Sequence, residues 1–505
     1  MEKSKLILKN TILLYLRSIL SLLIKLYTSR LVLKGLGIEE FGVYQVVGGL
    51  VAMFSFLNST MAASTQRYLS YAIGLNDKRL VQKVFSTTIN IHLILSLIIF
   101  ILVESIGIYF LNTNINLGKV TIETAQWILH FTALSLVLTI NSVPYNSLLI
   151  SKENMSYFAY IDIIGEIFKL CIGLSLYLFT SNRLIYYAAL MFLVTLFIRC
   201  LYMIVCHRKY KESKYVYTWD KSLVKEMLSF SGWTTLSAIS FMIKTQGLSI
   251  LLNVFLGPLL NSALGIANQV NSAVKTFSQN FQMSFMPQII KNYAQKEYST
   301  LNKLIFSGAK LSTCLLLAIA IPVILEIDYL LNIWLVDVPE YASPIVTFLI
   351  IESILQCMTC TGNTAIRATG RVKAFELYYN LVDLLSLPVS IIILYTAPHY
   401  YIPFIIILFF ALLSSFVKIF FLRKQIPQFN AYIYINSIYF RLAFVTIISI
   451  ITPLILRFNM EDGIARLILI TFLFEIVFVL LLYKFVFNSE ERNLIKTLLQ
   501  KIKWN

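Results

Sequence analysis

The chain has 505 residues, of which 58% are hydrophobic and only 13% are charged. Soluble domains carry about 25% charged residues, so this composition excludes a soluble globular protein. Apolar runs of about 20 residues or more recur along the sequence, and they predict an all-α polytopic membrane protein rather than a β-barrel. The net charge of +17 does not indicate nucleic-acid binding, because most lysines and arginines fall in alternate loops.

Apolar runs separated by polar breaks predict fourteen transmembrane helices. The predicted spans are residues 8–35, 42–72, 82–111, 122–150, 156–180, 184–206, 223–256, 262–290, 302–335, 342–368, 373–397, 401–422, 433–456 and 464–487. Several of them exceed the ~20 residues that a bilayer needs, so these helices are expected to tilt or protrude. Twelve spans follow if the last pair does not cross the membrane.

The basic loops predict the topology. Cations collect on one face, with groups at 78–83, 207–225, 291–303, 367–373 and 423–424. Loops on the other face carry few cations and several acids. This alternation predicts an even number of spans with both termini in the cytoplasm.

One polar motif, S-x-x-S-x-x-x-K, occurs twice in apolar surroundings. Its copies are Ser18, Ser21 and Lys25, and Ser237, Ser240 and Lys244, so that the offset between them is 219 (237 − 18). Positions i, i+3 and i+7 share one face of a helix. Each copy therefore predicts a polar stripe that avoids lipid.

Further matches at a similar offset predict an internal repeat. Six helices per copy would start both copies on the same side, which is a parallel, pseudo-two-fold repeat. We expect an N-lobe at 1–206 (helices 1–6), a basic cytoplasmic linker at 207–222 and a C-lobe at 223–424 (helices 7–12). Helices 13 and 14 and a basic tail occupy 425–505.

The sequence offers no enzyme signature and no metal site. P-loop and G-x-S-x-G motifs are absent, and the four histidines are scattered. Cys357-Met-Thr-Cys360 has zinc-like spacing, but no second pair or nearby histidine completes it. We expect two buried cysteines there, no metal ligands, no catalytic residues and no enzymatic activity.

Four cations of predicted helices 1, 7 and 8 lie away from the basic loops and are candidates for a site: Arg17, Lys25, Lys244 and Lys275. Intramembrane charge is costly and usually functional. One interpretation places all four on a central cavity, lined also by the serines of both motifs and by Gln279. The alternative is that each cation extends to the interface or pairs with an acid. Arg17 and Lys25 are separated by about 12 Å along a helix, so both can hardly reach one surface.

Three acids within the spans are candidates for ion coupling: Asp162, Glu166 and Asp383. They could bind a proton or a sodium ion. Asp162, Glu166 and Lys169 also lie on one helical face, so an ion pair within that helix is the simpler interpretation.

The segment 29–77 resembles the opening of polysaccharide-transporter proteins, and its stretch L-G-x-E-x-F-G-x-Y is the most specific part. These proteins are a branch of the multidrug/oligosaccharidyl-lipid/polysaccharide (MOP) exporter superfamily, which has a MATE-like fold. The branch includes O-antigen and capsule repeat-unit flippases. The resemblance covers most of the chain.

The resemblance implies a flippase that moves undecaprenyl-pyrophosphate-linked oligosaccharide to the outer leaflet by alternating access. O-antigen (lipopolysaccharide), capsule or exopolysaccharide biosynthesis would use it. The diphosphate would meet Arg17, Lys25, Lys244 and Lys275, although three of these are lysines, which bind without the bidentate fork of arginine.

The same resemblance implies the setting. We expect a bacterial cytoplasmic membrane, a monomer, no cofactor apart from a proton or sodium gradient, and contacts with membrane lipids. A polysaccharide polymerase and glycosyltransferases are candidate partners.

Three alternatives stay open. A multidrug exporter of the same superfamily would expel cationic drugs, for which four cavity cations are unsuited. A membrane polysaccharide polymerase or glycosyltransferase would need a large outward loop or acidic catalytic residues. A non-transporting component of the export pathway is the third.

Overall fold

The computed structural model describes residues 2–52, 54–113, 120–178, 182–256, 259–335, 338–489 and 491–492. These residues form helices and connecting turns, with no β-strand among them. The helices are α1 (Glu2–Leu36), α2 (Ile38–Ala52), α3 (Ser55–Gly74), α4 (Lys78–Thr113), α5 (Ile122–Ser151), α6 (Met155–Ser175), α7 (Arg183–Lys209), α8 (Lys221–Leu256), α9 (Leu259–Ala294), α10 (Tyr298–Leu325), α11 (Ile327–Trp334), α12 (Ala342–Cys357), α13 (Cys360–Ala368), α14 (Lys373–Leu384), α15 (Ser386–Thr396), α16 (Ile402–Gln425), α17 (Ala431–Tyr434), α18 (Arg441–Asn459) and α19 (Ile464–Leu481).

All fourteen predicted spans coincide with these helices. Several spans consist of two helices joined at a break, such as α12 and α13, which meet at a bend of 42°. Within the described residues, nine helices are long and apolar enough to cross a membrane, or ten if that bent pair is one span. Of the other predicted spans, α1, α6 and α9 carry several of the polar residues singled out above, whereas Lys244 and Asp383 lie on candidate spans.

The helix order confirms the predicted repeat. The offset between the starts of α1 and α8, the first helices of the two copies, is 219 (221 − 2). The offset is 220 between α4 and α10 (298 − 78) and 218 between α6 and α14 (373 − 155). Helices α17 to α19 follow the second copy, as the predicted C-terminal pair.

The chain divides into two compact units. The first comprises Met1–Ile239 and Met286–Glu297, and the second comprises Ser240–Phe285 and Tyr298–Asn505. The division falls within α8 and within α9. The predicted lobe boundaries stay a prediction, and the basic tail beyond residue 492 lies outside the described residues.

The first unit is centred on α5, which packs against α7, α4 and α3. Its side chains Ile128, Leu129 and Ile140 are fully buried. A Cβ atom at Gly107 of α4 would lie 2.7 Å from the Leu129 side chain, so glycine permits this close approach. Small residues at such contacts let helices pack closely by van der Waals attraction, which drives helix association in lipid.

The predicted linker, 207–222, belongs to the first unit and contacts other parts of it. Lys152 donates to Glu212 at 3.2 Å, and Lys83 pairs with Asp220 at 2.6 Å. The Lys83 hydrogen bond lowers the pKa of the Asp220 carboxyl. These contacts hold the segment to α4 and to the turn after α5.

The second unit packs α16 against α12, α14 and α15, and α18 against α19. The Tyr434 hydroxyl donates to the carbonyl oxygen of Met358 at 2.7 Å, at the break between α12 and α13. Lys310 of α10 pairs with Glu491 at 2.6 Å. The end of the C-terminal helix pair is thereby attached to the repeat.

Candidate functional site

In the first unit, the polar stripe of α1 faces α6. The two helices run in the same direction, since Asn10 donates to the carbonyl oxygen of Glu153 at 3.2 Å and Val32 contacts Gly173. Between these points, Arg17 Nε lies 3.7 Å from Asp162 Oδ2. At Asn10 and Arg17 the stripe therefore faces α6, where Arg17 meets an acid.

One turn along α6, Glu166 has two cationic partners. Lys169 of the same helix donates to Glu166 Oε1 at 2.9 Å, which confirms the predicted ion pair within that helix. Lys25 Nζ lies 3.7 Å from the same oxygen. The Lys25 side chain is 59% exposed, and such ion pairs contribute little stability. Lys25 can therefore leave Glu166 at low cost.

We call Arg17, Lys25, Lys169, Asp162 and Glu166 the first-unit network. The Ser21 side chain lies on the same stripe, between the two α1 cations. Ser21 is buried, and its hydroxyl has no hydrogen-bond partner within the described part of the chain. Ser18 is half-buried. An unpaired buried hydroxyl beside cations is suited to a polar ligand.

In the second unit, Lys244 has two carboxylate partners. Its Nζ donates to Glu352 Oε1 at 2.8 Å and to Asp383 Oδ1 at 2.9 Å. The Lys244 side chain is only 6% exposed. Gln356 donates to the same Glu352 oxygen at 2.8 Å and accepts from Lys275 Nζ at 3.2 Å. The chain of contacts thus joins both predicted cations of this unit.

Lys418 of α16 lies next to this chain of contacts. Its ammonium is 4.6 Å from the centre of the Tyr379 ring, and the residue is 5% exposed. No hydrogen bond or ion pair joins it to any residue that the structure describes. Tyr379 and Asp383 are four residues apart, one turn on the same face of α14.

We call these residues the second-unit network: Lys244, Lys275, Lys418, Glu352, Gln356 and Asp383. Lys244 corresponds to Lys25 in the internal repeat, at an offset of 219 (244 − 25), and Asp383 corresponds to Glu166, at an offset of 217 (383 − 166). The same lysine–acid pair is therefore built in both units, on corresponding helices.

The predicted site residues are distributed over both units. Arg17 and Lys25 belong to the first unit, and Lys244 and Lys275 to the second. Ser240 is buried, Ser237 is half-buried and Gln279 is exposed. The expectation that all four cations line one cavity stays a prediction.

The acids predicted for ion coupling turn out to be partners of the predicted substrate cations. Asp162 pairs with Arg17, Glu166 with Lys25 and Asp383 with Lys244. The pairing alternative raised for these three cations therefore holds in this conformation. Coupling to an ion stays a prediction.

Four residues of the networks were not predicted as site residues: Lys169, Glu352, Gln356 and Lys418. Glu352 and Gln356 are one turn apart on α12, and their i, i+4 spacing in the sequence indicates that the two side chains are neighbours on one helical face. Lys418 lies seven residues before the end of α16 (425 − 418), on the side predicted to be cytoplasmic. From sequence alone, it could extend to the interface.

Comparisons with solved structures identify the fold. An outward-facing multidrug resistance MATE family transporter of the MOP superfamily superposes with a TM-score of 0.71 at 14% identity. A MOP superfamily transporter from Pyrococcus furiosus, described by a reversed polarity of its binding pocket that suggests a different function, gives 0.71 at 15%. A MATE structure in complex with MaD3S gives 0.69 at 15%.

Each likeness covers 84% of this chain and 96% of the other chain. No family model matches the sequence, and no curated protein matches it. The chain therefore has the fold of MATE and MOP-superfamily transporters, and it is a multi-pass membrane protein. At 14–15% identity, this likeness shows the fold alone, and the polysaccharide-transporter branch stays a prediction.

Proposed function

We propose that this protein is a flippase that exports undecaprenyl-pyrophosphate-linked oligosaccharide by alternating access. The observation that carries the proposal is the charge of the two networks. Each contains three cations and two carboxylates, which leaves one positive charge in excess (3 − 2). An excess positive charge inside a membrane favours an anionic ligand.

The chemistry of the cargo fits that excess. A diphosphate diester has an ionised oxygen on each phosphate group, and such oxygens form short, charge-assisted hydrogen bonds with ammonium and guanidinium donors. Lys25 is exposed and Lys275 has only a neutral amide acceptor in the described residues. Lys275 can donate to a phosphate oxygen without first losing a carboxylate, and Lys25 has only its exposed contact with Glu166 to exchange.

Lys244 differs from these two lysines, because its ammonium already donates to two carboxylates. A phosphate can bind Lys244 only after one of them leaves, since like charges repel. Glu352 is held by Gln356 as well, whereas the Asp383 carboxylate bonds to Lys244 alone among the described residues. We infer that Asp383 leaves and turns to Lys418, whose ammonium lies over the ring of Tyr379, one helical turn from Asp383 on α14. Binding of an anion would then rearrange α14 against α16.

A multidrug exporter is the second candidate, because MATE structures are among the solved structures with this fold. The excess positive charge of both networks disfavours cationic drugs as cargo. One of the solved neighbours is itself described by a reversed pocket polarity. The charge of the networks is therefore the property that distinguishes the two candidates.

Complementation tests the proposed function. In a strain that lacks its own flippase, the wild-type chain should restore surface polysaccharide. Lys244→Ala should abolish display and cause lipid-linked repeat units to accumulate in the membrane. Lys25→Ala should reduce display by a smaller factor, on the order of tenfold, because its ion pair is exposed and weak.

The matched control is Lys34→Ala, at the exposed end of α1. It should leave display unchanged at equal protein levels. Full display with both Lys25 and Lys244 replaced would rule out the proposed binding residues. Increased resistance to cationic dyes without any polysaccharide display would support the multidrug exporter instead.

A further inference from the structure

A pocket of about 540 Å³ lies at the end of the C-terminal helix pair, in the second unit. It is outside the six-helix repeat and contains none of the network residues. Its lining consists of Phe440, Arg441, Phe444, Lys484, Phe485, Phe487 and Arg492. Three of these side chains are cationic, four are aromatic and none is acidic.

Two π-helical turns form the walls of this pocket. They comprise Ile435–Phe440, which leads into α18, and Leu482–Val486, which follows α19. A π-turn inserts an extra residue into the helical ladder, is rare and is frequent at functional sites. Here one turn ends immediately before Arg441, and the other contains Lys484. The two irregular turns thus bring cations from both helices to one pocket.

The three cations have no acidic partner within the described residues. Arg441 donates to the carbonyl oxygen of Phe485 at 3.5 Å, and Arg492 donates to that of Lys484 at 2.8 Å. Lys484 lies over the Phe485 ring at 5.3 Å. The Nε atom of Arg492 is buried, and it has no hydrogen-bond partner in the part of the chain that the structure describes. The pocket therefore offers positive charge and an unused donor.

The nearest described acid along the chain is already engaged. Glu491 precedes Arg492 but accepts from Lys310 at 2.6 Å and from the backbone of Asn488 at 2.9 Å. Its charge is thus neutralised away from the pocket. No acid within the described residues neutralises the three cations, so the pocket is suited to an external anion.

The phenylalanines define what kind of anion fits. An apolar wall beside a cationic end suits an amphiphile whose head is anionic and whose tails are hydrocarbon. Phe440 is 67% exposed, as expected for a side chain that faces lipid tails. A soluble anion would make no use of this wall.

The predicted topology indicates which leaflet of the membrane the pocket faces. The basic group at 423–424 and the basic tail beyond residue 492 both belong to the face predicted to be cytoplasmic. Anionic phospholipids are enriched in that leaflet, and basic pockets between membrane helices bind their head groups. We propose that the pocket binds the phosphate head group of an anionic phospholipid from the cytoplasmic leaflet.

The test compares two triple variants of the full chain. The pocket variant is Arg441→Gln, Lys484→Gln and Arg492→Gln. The control variant is Arg208→Gln, Arg423→Gln and Lys424→Gln, which removes the same charge from helix ends that are not in the pocket. Each protein is placed in nanodiscs of phosphatidylcholine, alone or with cardiolipin, and the retained lipids are counted by native mass spectrometry.

Wild-type and control proteins should retain one cardiolipin, and the pocket variant should retain it at least tenfold less, since charge-assisted donors are lost. Thermal unfolding should be unchanged in all three proteins. Equal retention by the two variants would overturn the proposal. Displacement of cardiolipin by inorganic phosphate, or preferential retention of undecaprenyl phosphate, would also overturn it, because the ligand would then not be a bilayer phospholipid.

Discussion

The Lys244→Met variant should lose both stability and polysaccharide display. Removing this ammonium leaves Glu352 and Asp383 close together and largely buried, with exposed fractions of 14% and 12%. Breaking a buried ion pair on one side typically costs about 3–5 kcal/mol. We expect a lower thermal unfolding midpoint in detergent and no display in the complementation strain.

A triple variant separates the structural role of Lys244 from its proposed binding role. Lys244→Met with Glu352→Gln and Asp383→Asn has no unpaired buried charge, so its stability should return to near the wild-type value. Display should still be absent, because the cation proposed to hold the phosphate is gone. Restored display in this variant would contradict a binding role for Lys244.

The second prediction contrasts two buried lysines of the second unit. Lys310→Met should lower stability by about 3 kcal/mol, since it leaves the Glu491 carboxylate without its partner. Lys418→Met should leave stability unchanged or raise it by about 1 kcal/mol, because it removes a buried charge that has no acceptor in the described residues. Thermal unfolding of the two purified variants measures the contrast.

Display should show the opposite order for these lysines. Lys418→Met should reduce it on the order of tenfold, because Asp383 would lose its alternative partner. Adding Asp383→Asn should remove the effect of the Lys418 change, since no carboxylate then has to move. An equal loss with and without Asp383→Asn would contradict the exchange between Lys244 and Lys418.

Composition, periodicity and the repeat predicted much of the fold. The fourteen apolar runs could be recognised as predicted spans because each helix needs a long apolar stretch to cross a bilayer. The repeated motif was readable because a helix has a fixed period, so two matching stripes in distant parts of the chain stand out. The corresponding pairs Lys25–Glu166 and Lys244–Asp383 show that this repeat extends to the networks.

Partners across helices could not be predicted in the same way. Arg17 and Asp162 are far apart in the sequence, and only the packing of α1 on α6 brings them together. Lys418 was not predicted as a site residue, because sequence does not show which face of α16 is covered. The segment 207–222 looked like a free linker, since its contacts with Lys83 and Lys152 are also tertiary.

The central claim is that the cargo is a lipid-linked anion. Purified protein in liposomes should transfer undecaprenyl-pyrophosphate-linked oligosaccharide between leaflets, measured as the fraction accessible to an added glycosidase. The triple variant Lys244→Met, Glu352→Gln, Asp383→Asn should transfer it no faster than protein-free liposomes. Transfer by the wild-type protein at the protein-free rate, together with efflux of a cationic dye, would contradict the account.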